Sequence, residues 1–118
     1  MTTQEIANRL HELCTANDYN QAHADLFADN ATSTEKNQAG ILETIEGKEA
    51  LKAKGDFFAN MIEEHHSGYC NEPMVFGNNI FMQMGLDITM KGMGRMNINE
   101  MGHYVVEEGK IVSERFYY

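Results

Sequence analysis

An α+β fold, with helices packed on one face of a curved, mainly antiparallel sheet, is what this sequence predicts, and three observations predict it. Apolar residues recur at helical spacing near the N-terminus. The last forty or so residues alternate apolar and polar side chains with period two. The links between the later strands, Asn78-Asn79 and Gly92 to Gly94 among them, are too short for crossovers, so neighbouring strands run antiparallel.

Thr2 and Glu5 form a capping box, and Ile6, Leu10, Leu13 and Cys14 follow at helical spacing, which predicts a helix from about Thr3 to Ala16. Asn8, His11 and Glu12 make its polar face. Asp18 can cap a second, short helix with Tyr19, Ala22, Leu26 and Phe27 inside, giving a helical hairpin. Ala31 to Glu35 has strand character, Lys36 to Gly40 is a polar loop, and Ile41 to Glu46 is a second brief strand ending at Gly47. Lys48 to Ile62 carries an apolar stripe of Leu51, Phe58, Met61 and Ile62, a helix despite Gly55 in its middle.

Strand-like runs follow near Glu64 to Tyr69 and Met74 to Phe76, then at Ile80 to Lys91, Met96 to Glu107 and Lys110 to Tyr118, the last two joined by the turn Glu108-Gly109. Ile80, Met82, Met84, Leu86, Ile88 and Met90 share one face of the first long strand. Methionine is flexible and polarisable, so this face makes an adaptable surface that can line a cavity. Gly85 and Gly102, inside strands, predict bulges or bends.

With 118 residues the chain fits one domain, 1–118, large enough to bury a core without disulfides or metals. Eighteen acidic against nine basic residues give a net charge of −9, which disfavours nucleic acid and anionic membrane surfaces as partners. No stretch has the length of a membrane span and the start Met-Thr-Thr-Gln-Glu lacks signal-peptide character, so the expectation is a cytoplasmic protein with Cys14 and Cys70 as reduced thiols. His65 and His66 follow Glu63 and Glu64, but neighbours on a strand point to opposite faces; the segment reads as a solvated helix end and no metal is expected. No phosphate loop, nucleophile elbow or other cofactor motif occurs, so no cofactor is expected.

Three phrases taken in order resemble the nuclear transport factor 2-like superfamily, in its SnoaL-like and ketosteroid isomerase-like branches. They are Asp18-Tyr19-Asn20 with Leu26-Phe27-Ala28-Asp29-Asn30-Ala31-Thr32, then Ile45-Glu46-Gly47-Lys48-Glu49-Ala50-Leu51, then Glu108-Gly109-Lys110-Ile111-Val112. The resemblance implies a cone-shaped α+β barrel of the cystatin-like kind, whose mouth holds a small apolar molecule. It implies that Phe58, Met82, Met84, Leu86, Ile88, Phe116 and Tyr118 face that cone, with Glu114 on the parity of Phe116.

By the same resemblance, the isomerase base falls on Glu35, while its donor positions fall on Leu10 and on Met101 or Gly102, which offer no donor. The cyclase branch pairs a strand histidine with a last-strand acid. His103 lies on the right strand, but the acid's place falls on Phe116, with Glu114 two residues earlier. Glu35 and His103 are therefore the candidate catalytic residues of an incomplete proton-transfer apparatus. The leading expectation is a binder of a small apolar or aromatic metabolite. The rival is a non-catalytic homodimeric module with a filled cone, joined through an outer sheet face carrying Phe81, Tyr104 and Tyr117.

Overall fold

Both N-terminal helices start where their caps require. In the computed structural model, which describes residues 1–118, Thr2 Oγ1 accepts from the Glu5 amide at 3.1 Å and the Thr2 amide donates back to Glu5 Oε1 at 2.8 Å, opening α1 (Thr3–Thr15). Asp18 accepts from the Gln21 amide at the head of α2 (Tyr19–Leu26), and Asn17, at φ 57°, turns the chain between them. The chain then passes directly into β1 (Phe27–Lys36), which pairs with β2 (Leu42–Glu46).

Gly47, at φ 97°, opens α3 (Lys48–Met61), which leads without a loop into β3 (Ile62–Cys70). Glu63 to His66 are thus strand residues, not a helix end. Ile62 pairs with Met90, Glu64 with Thr89 and His65 with Ile88, and sheet pairing outweighs the local helix preference. β4 (Met74–Phe76), β5 (Asn79–Met90), β6 (Gly94–Glu107) and β7 (Lys110–Tyr117) complete the chain.

The strand order is β2-β1-β7-β6-β5-β3, with β4 beside β5. All pairs are antiparallel except β1 with β7, where Ser33 lies opposite Glu114. That parallel pair brings together elements from opposite ends of the chain. The β6–β7 register shifts between Val105 and Val106, a bulge around Val112 that lets Ile111 and Glu114 both be buried. Gly85 and Gly102 are not bulges in the β5–β6 pair, whose register runs unbroken from Asn79 opposite Val105 to Met90 opposite Gly94. They make room instead: a Cβ on Gly85 would collide with the Tyr69 ring and one on Gly102 with the Tyr104 ring.

The helices cover the inner face of the sheet. Ile6, Leu10, Leu26, Phe27, Leu51, Ile80, Met82 and Ile111 form a continuous buried cluster there. Tyr104 belongs to this inner side, only 2 % exposed, and not to the outer aromatic face expected from the sequence. It pairs with Ile80 and Glu114, which sets its parity. No helix is long and apolar enough to cross a membrane.

Candidate functional site

Along the inner face of the sheet the side chains change from apolar to polar. Ile80, Met82, Val106 and Ile111 close one end with Ile6 and Leu10 of α1. Further along the same face stand Ser33 and Glu35 of β1, Glu114 and Phe116 of β7, and Glu100, Gly102 and Tyr104 of β6. Alternation along each strand puts these residues on one side.

Lys54 of α3 reaches into this group. Its Nζ donates to Ser33 Oγ at 3.3 Å, forms an ion pair with Glu35, and sits 5.7 Å from the centre of the Phe116 ring. At the rim the Tyr118 hydroxyl donates to the Lys36 carbonyl and lies 3.4 Å from Glu35 Oε2. A cleft of about 80 Å³ opens beside it, lined by Leu42, Phe116, Tyr117 and Tyr118 among others. A second cleft, about 300 Å³, lies outside the cone between Gln4, Asn8, His11, Glu72 and Pro73 and is mostly polar. In it, His11 Nε2 is already bonded to the Cys70 carbonyl at 3.0 Å, and none of the inner-face groups contributes to it.

Burial governs the chemistry of the inner group. It pushes the Glu114 carboxyl up to about 7, a rise opposed by the Ser33 hydrogen bond and the Lys54 charge and reinforced by Glu35 and Glu100. Burial likewise lifts Glu100 to about 7, with the Glu35 charge adding and Lys54 opposing. The Tyr104 and Tyr19 phenols and the Cys14 thiol are held above their ordinary values, mainly by burial, and stay protonated. Two carboxyls able to gain or lose a proton near neutrality therefore stand beside phenolic donors.

Of the residues expected from the sequence, Glu35, Glu114 and Phe116 meet here, and Tyr118 stands exposed at the rim. Glu35 is not a lone carboxylate, because Lys54 neutralises it. Met82 lies in the closed floor, whereas the Met84 Cε approaches Gly102, next to the polar group. Leu86 and Ile88 lie further along the β5–β6 hairpin, and Phe58 on α3 is partly exposed.

His103 is not brought to this group. Its parity places it on the outer face, stacked on Phe81 at 4.5 Å between ring centres and hydrogen-bonded to Asn79 Oδ1 at 2.9 Å. It and Glu35 face opposite sides of the sheet and cannot act on one bound molecule.

Sequence reasoning missed Ser33, Lys54, Glu100 and the inward Tyr104. Two signals were available. Leu51, Lys54 and Phe58 share one helical stripe, and Glu100, Gly102 and Tyr104 share one strand parity.

The family model of the SnoaL-like domain matches residues 1–118. A solved structure of a proposed SnoaL-like polyketide cyclase from Mesorhizobium loti is 35 % identical, superposes with a TM-score of 0.89, and covers 100 % of both chains. A protein from Catenulispora acidiphila with a ketosteroid isomerase-like fold, solved in complex with trimethylamine, is 21 % identical at a TM-score of 0.74, covering 99 % of this chain and 87 % of its own. A nuclear transport factor 2-like protein of unknown function from Burkholderia pseudomallei is 15 % identical at 0.77, covering 100 % and 92 %. The latter two show the shared fold. The comparison with curated proteins returned no match. With the full-length family match and the inner-face geometry in agreement, the chain belongs to the SnoaL-like domain family of the nuclear transport factor 2-like superfamily.

Proposed function

We propose that the cone binds a small molecule with an apolar or aromatic body and presents it to Glu100 and Glu114 for proton exchange of the isomerase or cyclase type. One observation carries this reading. The inner face, apolar where it forms the floor, continues as carboxyls and a phenol where a merely structural core would continue as hydrocarbon. Buried carboxyls cost stability, and their presence beside phenolic donors supports a chemical use. Fold alone does not supply function, so the reading rests on these side chains.

Thermal shift with steroids, polyphenols and fatty acids tests it. Small amines are included because the Catenulispora acidiphila fold relative was solved with trimethylamine. A ligand at a hundred times its dissociation constant adds about 2.7 kcal/mol. Deuterium uptake at the carbon next to a bound ketone's carbonyl, lost in Glu114→Gln, would mark the chemistry. No shift with any compound would overturn the reading.

A second reading, a homodimer joined through the outer sheet face, is favoured by exposed Tyr69, Met101 and Tyr117 beside the Phe81–His103 stack. It concerns the opposite face and is compatible with the first.

A further inference from the structure

We infer that a small carboxylate with a flat apolar body binds in the cleft beside Tyr118, its oxygens held by Arg115 and Lys36 and its body against Leu42 and the neighbouring aromatic rings. The site lies where β1 and β7 end together and does not rest on the cone-binding reading.

The distribution of charge is the first ground. Acids outnumber cations eighteen to nine, and most of the cations are taken up. Arg9, Lys48, Lys52, Lys54 and Arg95 each form an ion pair, and Lys110 donates to the Asp25 carbonyl. Lys36, Lys91 and Arg115 form none, and two of these, Lys36 and Arg115, line the same cleft. No acid lines it with them. Glu35, which the Tyr118 hydroxyl approaches at 3.4 Å, is paired with Lys54 on the inner side. In a chain of net charge −9, the cleft is thus a local positive site that attracts an anion which the molecule as a whole repels.

Arg115 is the second, independent ground. Its Nε is buried and bonded to no group of the chain, so one edge of the guanidinium has left water without gaining a partner. Across the sheet Arg115 stands between Thr34 of β1 and His103 of β6, and neither is an acid. Thr34 is bonded to Thr44, and His103 to Asn79. The guanidinium is nonetheless held in place, its carbon 4.7 Å from the centre of the Tyr117 ring. A guanidinium fixed by stacking, with its donors unused, suits the paired oxygens of a carboxylate. The cleft, about 80 Å³, has room for a few water-sized groups, hence for a carboxylate head and the edge of a ring. Leu42, Phe116, Tyr117 and Tyr118 make its other walls, which favours a carboxylate with an apolar body over a bare inorganic anion.

Titration of the nitrogen-labelled chain with benzoate, benzyl alcohol, benzylamine and inorganic phosphate, followed by the Arg115 Nε–H resonance, tests the inference. Benzoate should shift that resonance, bind at least about tenfold tighter than benzyl alcohol or phosphate, and weaken as salt rises. Benzylamine should leave the resonance in place. Arg115→Gln should lower the benzoate-to-alcohol preference at least about tenfold. Lys36→Gln, which alters only an exposed side chain, should lower it by a smaller factor. If benzyl alcohol or phosphate binds as tightly as benzoate, or both variants keep the preference, the inference falls. Benzoate that binds with the Arg115 resonance unmoved sits elsewhere and also overturns it. Absence of benzoate binding overturns this site alone, because the cone is tested with steroids and polyphenols that the cleft is too small to hold.

Discussion

The Tyr104 ring occupies the space where a side chain at Gly102 would be: a Cβ there would stand 2.9 Å from Tyr104 Cε2, 3.0 Å from its hydroxyl oxygen and 3.2 Å from Met84 Cε. Gly102→Ala should therefore displace the phenol and cost about 1–3 kcal/mol. The denaturant midpoint should fall with an unchanged slope. An unaltered midpoint would mean that Tyr104 tilts aside freely.

Met82 and Met84 are neighbours on one strand face with different surroundings. Met82, fully buried in the floor, should lose stability near the upper part of the range of about 2–5 kcal/mol on replacement by Ala. Met84→Ala should fall at the lower end, because its tip borders the polar group. Equal large losses in chemical denaturation would indicate a fully packed cone and count against ligand binding.

The raised Glu114 carboxyl makes stability depend on pH with a definite sign. Between the ordinary carboxyl value of 4.5 and about 7 the folded protein holds a proton that the unfolded chain has released. This contribution is present below about 4.5 and is lost as pH rises toward 7. Glu114→Gln should remove it, so the variant gains on the parent across that window by an amount on the order of 2–3 kcal/mol. Parallel pH curves for the two proteins would contradict the assignment.

Lys54 pulls the Glu114 carboxyl down against burial. In Lys54→Met the Glu114 titration, followed by carbon NMR of the carboxyl, should move further up. A downward movement would mean that Lys54 does not act on Glu114 through its charge.

Substitution on the outer face tests the proposed homodimer separately from the cone. Met101→Glu and Tyr117→Glu place charge on exposed apolar positions of the outer sheet face. Light scattering should return twice the subunit mass for the parent and one subunit mass for the double variant. One subunit mass for both would remove the dimer.

Much of the architecture was legible because its causes are local. The capping box at Thr2 and Glu5 and the alternation from Ile80 to Met90 are patterns carried by adjacent residues. The parity shared by Glu114 and Phe116 was equally readable. Pairing between distant segments leaves no such trace, which is why the β1–β7 contact was not foreseen. The inward Tyr104 follows from a strand parity shared with Gly102 and Glu100, which the aromatic character of the residue by itself does not reveal. Lys54 leaves no sequence trace of its inward contacts, because a lysine on a helix normally belongs to the solvated side. Glu63 to His66 misled for a related reason, since sheet partners decided a segment whose own residues suit a helix end.

The pairing of Ser33 with Glu114 also has a consequence for synthesis. During translation β1 emerges well before β7, the strand that must lie beside it. Until then Phe27 and Ala31 lack the Ile111 side of their packing, and Lys54 has no Phe116 to cover. The cone therefore closes only once β7 has emerged, and until then Phe27 and Ala31 of the nascent chain stay partly uncovered.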